Sequence, residues 1–137
     1  MKALFSIKYL LVFFFLTAFG CEETVLDQGF TVGREASFQV NQLYTSANGQ
    51  YTLKITEVGD SRCPEGVVCV WSGEVTVKGE FTDGSSKSAF EIHSVVSQEN
   101  KQPEGFTIQI VDAKPYPKYG TESKPEDLIV TLLIQKK

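Results

Sequence analysis

Cys69-Val70-Trp71-Ser72-Gly73-Glu74-Val75-Thr76-Val77-Lys78-Gly79-Glu80-Phe81 alternates with a period of two along its whole length. Cys69, Trp71, Gly73, Val75, Val77, Gly79 and Phe81 share one parity, while Ser72, Glu74, Thr76, Lys78 and Glu80 share the other. Successive side chains of a strand point to opposite faces of its sheet, so the stretch predicts a half-buried strand with the first set in the core. Asp83-Gly84 closes it as a turn, and Phe90 and Ile92 continue the pattern on the far side.

Working outward, the same period recurs almost everywhere. Tyr51, Leu53 and Ile55 alternate with Thr52, Lys54 and Thr56, and Phe106, Ile108 and Ile110 with Thr107 and Gln109. Ala36, Phe38 and Val40 form an earlier strand, and the Asn48-Gly49 pair before Tyr51 is a strong turn signal, which predicts a hairpin between these two segments. Leu128 to Ile134 is apolar on both parities and reads as a late, central strand covered on both sides. The segment Ala113 to Asp127 before it holds three prolines, which confine it to a loop or edge connection. Helical spacing is scarce and no repeat is present. The expected fold is all-β: an antiparallel β-sandwich of about seven strands over residues 30–137, with a small β-barrel as the alternative.

With 137 residues, the chain is one domain in size, and a net charge of −4 with a pI near 5.0 provides no basic footprint for nucleic acid. The first twenty residues read as an address. Lys2 and Lys8 precede the uncharged run Tyr9 to Phe19, which ends at Gly20 and Cys21. Those eleven residues would span roughly 16 Å as a helix, about half of a ~30 Å hydrocarbon core, which suits a signal peptide better than a membrane span. The segment Ala18-Phe19-Gly20-Cys21 resembles a bacterial lipoprotein signal, which implies acylation of Cys21 after processing, with palmitate-type chains. Glu22 and Glu23 resemble the export signal that sends some lipoproteins of the Bacteroidota to the outer face of the outer membrane; the plainer alternative is a solvated tether.

Cysteine arithmetic points the same way, because three cysteines leave an exported protein with one spare thiol unless Cys21 is modified. The expected layout is therefore a signal peptide at 1–20, a tether at 21–29 and the β domain at 30–137. Attachment would be to the membrane through an N-terminal lipid, in the cell envelope and by expectation at the outer membrane. The chain from residue 21 onward carries 11 basic and 17 acidic side chains, so its surface is acidic.

The most distinctive run is Asp60-Ser61-Arg62-Cys63-Pro64-Glu65-Gly66-Val67-Val68-Cys69-Val70-Trp71. It resembles the Asp-Ser-Arg-Cys-Pro and Cys-x-Trp motif of a group of uncharacterised exported bacterial domains, often lipoproteins, which tend to carry a Pro-Tyr-Pro near the C-terminus, here Pro115-Tyr116-Pro117. The resemblance supports the address and the fold and implies no mechanism. From the residues alone, Cys63 and Cys69 enclose five residues with Pro64 and Gly66 as turn formers, and export would place them in an oxidising compartment, so a disulfide is expected. Trp71, on the parity of Cys69, is expected to pack against that disulfide in the core.

Two other readings of this run stand beside the structural one. Two thiolates suit copper or zinc, or thiol redox chemistry, although Cys-x5-Cys is not a usual ligand spacing and His93 is the single histidine. The polar parity of His93, shared with Glu91, predicts a solvated imidazole. Alternatively the loop displays Arg62 and Glu65 as a preorganised contact surface, though Asp60 and Arg62, two residues apart, suit an ion pair that holds the turn together. Tyr116 and Tyr119 form a second candidate contact, for a protein or glycan partner, unless Pro115 and Pro117 simply protect a sheet edge. With one histidine and no Gly-x-Ser-x-Gly context, nucleophilic catalysis has little to build on. The sequence thus predicts no cofactor and no enzymatic site, and a binding or structural role with metal or redox chemistry as the alternative.

Overall fold

A computed structural model describes residues 29–95, 99–121 and 124–137. The expected signal peptide, Cys21, the Glu22-Glu23 pair and the tether up to residue 28 lie outside the described residues.

Among the described residues eight strands follow in chain order: β1 (Gly29–Phe30), β2 (Glu35–Gln39), β3 (Leu43–Ser46), β4 (Tyr51–Asp60), β5 (Val75–Asp83), β6 (Ser86–His93), β7 (Phe106–Lys114) and β8 (Ile129–Lys136). One sheet has the order β1-β3-β4-β5-β6 and the other β2-β8-β7. Their apolar faces meet as a β-sandwich, and neither sheet closes into a barrel. Between the described strands every pairing is antiparallel except that of β1 with β3.

Strand parity decides the core. Val75, Val77 and Phe81 on β5 and Phe90 and Ile92 on β6 are buried, while Thr76, Lys78 and Glu80 face outward. Two long strands keep their apolar residues inside only because each carries a bulge. In β4 the register shifts between Ile55 and Glu57, so the buried set steps from Leu53 and Ile55 to Val58. In β7 the shift between Ile110 and Asp112 passes burial from Ile108 to Ala113 and leaves Val111 exposed. Across the sandwich the Phe81 ring lies 4.7 Å from Phe106, which meets Tyr51 edge-on at 5.1 Å; toward the other end Phe38 meets Tyr44 at 4.8 Å. Burying each such ring contributes about 1.5–3 kcal/mol.

Gly79 on β5 sits between Ile55 and Phe90 of its neighbours. A Cβ there would come within 2.5 Å of the Lys54 carbonyl oxygen on β4 and 2.6 Å of the Phe90 ring on β6, so the strand fits between its neighbours only because this position has no side chain.

Three expectations about pairing need correction. The Asn48-Gly49 turn does close a hairpin, but between β3 and β4; the Ala36–Val40 segment belongs to the other sheet, where β2 pairs with β8. Leu43–Ser46 supplies the strand that the sequence reading lacked, with Tyr44 and Ser46 inside, and Ser46 Oγ receives the Tyr51 amide at 2.9 Å to fix the turn. β8 is central, as expected, yet it is covered on one face only: Val130, Leu132 and Ile134 are buried while Ile129 is exposed and Leu133 partly so. The first strand of the decisive stretch begins at Val75, six residues after Cys69. The connection before β8 is shorter than expected, because Ala113 and Lys114 still pair with β8 as the end of β7; a 3-10 turn at Pro125–Asp127 precedes β8.

Candidate functional site

Beyond Asp60 the β4–β5 ladder continues for two more rungs, with the Ser61 amide donating to Glu74 O at 2.9 Å and the Cys63 amide to Ser72 O at 3.0 Å. The chain must then turn tightly. Gly73 makes this possible: its φ is +69°, and any Cβ would collide with the Ser61 carbonyl. At and beyond the second rung, Cys63 and Cys69 form a disulfide with their Cα atoms 5.9 Å apart.

Arg62 anchors this loop to the rest of the molecule. Its Nε donates to Asp60 Oδ1 at 2.8 Å and its Nη2 to Asp60 Oδ2 at 2.6 Å, a two-pronged pairing. Nη1 also donates to Ala113 O at 2.9 Å and Nη2 to Pro115 O at 3.2 Å, so one side chain joins the end of β4 to the end of β7 in the opposite sheet. The Tyr116 ring lies 4.5 Å below the guanidinium. The Asp60 carboxylate, hydrogen-bonded to it, raises the Arg62 pKa further above its already high ordinary value against the opposing effect of burial. With 14% of the Arg62 side chain and 6% of the Asp60 side chain exposed, the pair is a brace. Four guanidinium hydrogen bonds go to backbone and carboxylate oxygens, so Arg62 ties the loop down from within, as the expected Asp60–Arg62 pair would.

A second tie comes from the backbone. The Glu65 amide donates to Pro117 O at 2.9 Å and Glu65 O accepts from the Tyr119 amide at 3.4 Å, pairing the disulfide loop in parallel with the Pro-Tyr-Pro segment. The two segments that the sequence singled out are thus one surface. Beside it runs an open groove of about 500 Å³ whose lining mixes Glu65 and Asp127 with Lys114 and Lys118, along with Tyr116 and Ile129. At its margin Asp112 has its pKa lowered by the hydrogen bond from Lys114, 3.1 Å away, and by the Ala113 amide.

Trp71 is where the sequence reading failed. It stands 81% exposed, out of the core and outside any strand, and Val70 at 92% and Val68 are equally bare. The parity that assigned Trp71 to the interior holds only from Val75 onward, since the positive φ at Gly73 breaks the extended run before it reaches the indole. Tyr119 is 76% exposed on the segment paired to Glu65. Val68 and Val70 were not foreseen as surface residues.

His93 is also less open than its parity predicts, with 17% of its side chain exposed. Its Nδ1 lies 3.3 Å from Glu74 Oε2 and 3.3 Å from Thr76 Oγ1, because β6 places it directly beside Thr76 and Glu74 precedes β5. Among the described residues no group of three or more His, Cys, Asp and Glu side chains converges as metal ligands would. The two internal sulfurs are bonded to each other.

Comparison of the chain with protein-family models, with curated proteins and with solved structures finds no match.

Proposed function

We propose that the protein is a membrane-anchored lipoprotein of the cell envelope, held by an acylated Cys21, with a non-catalytic binding role. Its contact surface is the crosslinked loop and the Pro-Tyr-Pro segment paired to it. The observation that carries this reading is the exposure of Val68, Val70 and Trp71 together on a loop with a fixed frame. Exposed apolar side chains cost solubility, and a contiguous group of them marks an interaction site. A flexible loop would lose entropy on binding. Here the disulfide, the Asp60–Arg62 pair and the Glu65 bridge have already restricted the backbone, so less is lost when a partner arrives.

Intact mass of the protein extracted from its native membrane, with thiol alkylation before and after reduction, tests the anchor and the frame together. Acyl mass on Cys21, with two further alkyl groups added only after reduction, is the expected result. Cys63 and Cys69 alkylating without reductant, or metal in the native mass, would move the reading to copper, zinc or thiol redox chemistry.

A further inference from the structure

β1 runs parallel to β3, with Gly29 beside Thr45, and β3 runs antiparallel to β4, with Thr45 beside Thr52. The N-terminal end of β1, at Gly29, therefore faces the end of the sheet at which β4 finishes, the end that bears the crosslinked loop. From Cys21 to Gly29 are eight residue steps of at most about 3.5 Å, a reach of about 28 Å. From Thr52 to Asp60 the strand also advances eight steps, about 26 Å at the usual strand rise. A tether of that length carries Cys21 no farther along the sheet than about the level of Asp60, which leaves the loop beyond Asp60 on the membrane side of the lipid's attachment point.

We infer that the Val68–Trp71 tip, together with the exposed Tyr119 on the segment paired to Glu65, is a second membrane contact that enters the interfacial layer of the same bilayer. This rests on the lipoprotein reading above. The chemistry suits that layer: valines supply aliphatic area, while Trp71 and Tyr119 carry rings with a polar end, the side chains that concentrate at headgroup depth. The loop's outward backbone groups need water, which limits insertion to the wet interface. Attraction by charge plays little part, because the chain from residue 21 onward is acidic overall and the surface around the loop matches Glu65 and Asp127 with Lys114 and Lys118. The contact is therefore made on zwitterionic lipid and persists in salt. By itself so small a loop binds weakly; the lipid holds it at high local concentration, and the loop in turn fixes which face of the domain looks outward.

Trp71 is the single tryptophan of the chain, so its emission reports the tip directly. The full protein, its acyl mass verified on the same sample, is diluted from detergent into phosphatidylcholine vesicles carrying brominated acyl chains or none. The expected result is emission shifted to the blue, quenched by the brominated chains and shielded from aqueous iodide, with no change at high salt. Val70→Asp, which keeps the reporter, should lose the shift and regain iodide access while far-UV circular dichroism stays unchanged. Acyl mass with Trp71 still open to iodide overturns the inference, leaves the anchor standing and turns the loop toward a protein partner. Absence of acyl mass overturns the anchor and, with its premise gone, the inference as well.

Discussion

The guanidinium of Arg62 lies 4.5 Å from the centre of the Tyr116 ring and donates to the carbonyls on either side of Lys114. It joins the loop leaving β4 in one sheet to the segment leaving β7 in the other, at a point where the sandwich would otherwise be open.

Removing Arg62 strands its partner. Arg62→Met leaves the nearly buried Asp60 carboxylate without its countercharge, and breaking a largely buried pair from one side costs roughly 2–4 kcal/mol after allowance for the partly exposed arginine. Arg62→Lys keeps the charge and loses the fork, so it should recover only part of that stability. Urea denaturation of the three proteins measures both; equal midpoints for wild type and Arg62→Lys would show that the fork adds nothing to the charge.

Trp71 and Phe81 have the same parity and opposite surroundings. Phe81→Ala should cost about 3–5 kcal/mol, as truncation of a fully buried ring does, whereas Trp71→Ser should change stability by no more than about 0.5 kcal/mol. Thermal melts of the pair provide the check. A large loss from Trp71→Ser would return the indole to the core.

Gly79→Ala sets a methyl against both the Lys54 carbonyl and the Phe90 ring. Overpacking of this kind costs about 1–3 kcal/mol, and Phe90→Leu in the same chain should relieve some of it, because the smaller side chain leaves room for the methyl. A double-mutant cycle reads the coupling. Simple additivity would mean that the methyl is accommodated elsewhere.

Loss of the disulfide should be felt locally. The chain-entropy model assigns so short a loop about 2 kcal/mol, and the Arg62 brace and Glu65 bridge remain in its absence. In Cys63→Ala/Cys69→Ala the amides of Glu65 and Tyr119 should exchange faster with solvent, while those of Leu53 and Val77 in the centre of the sheet keep their protection. Hydrogen exchange followed by residue distinguishes this from global unfolding.

At acidic pH the Asp112 carboxyl has a predictable sign. Its pKa is lowered on folding, so its contribution to stability is complete above the ordinary carboxylate range, near 4, and is lost as pH falls through the folded value. The group is on the surface, so the contribution is small and screened. Asp112→Asn should flatten the acid side of the stability curve slightly in low salt and have no effect at high salt.

Much of the architecture was legible. Alternation placed Val77, Phe81, Phe90, Ile92, Phe106 and Ile108 inside, and Asn48-Gly49 and Asp83-Gly84 marked real turns, because burial parity and turn conformation depend on neighbours a few residues apart. The Cys63–Cys69 bond was legible for the same reason, since both partners lie on one short loop. Bulges were not. Each at Ile55/Glu57 and Ile110/Asp112 is one residue inserted into a register that only the facing strand defines.

The sequence by itself determined the all-β class, the inward parity of most strands, the tight turns and the closing of the short cysteine loop, all of them consequences of local chain stereochemistry. Only the tertiary structure decided that β2 leaves the Asn48-Gly49 hairpin for β8, that Arg62 finds the carbonyls of Ala113 and Pro115, and that Trp71 faces water. Those outcomes depend on which distant segment supplies the next hydrogen-bonding edge or the next carbonyl. Ala113 is fifty-one residues from Arg62 along the chain and one hydrogen bond from it in space, a proximity that folding creates.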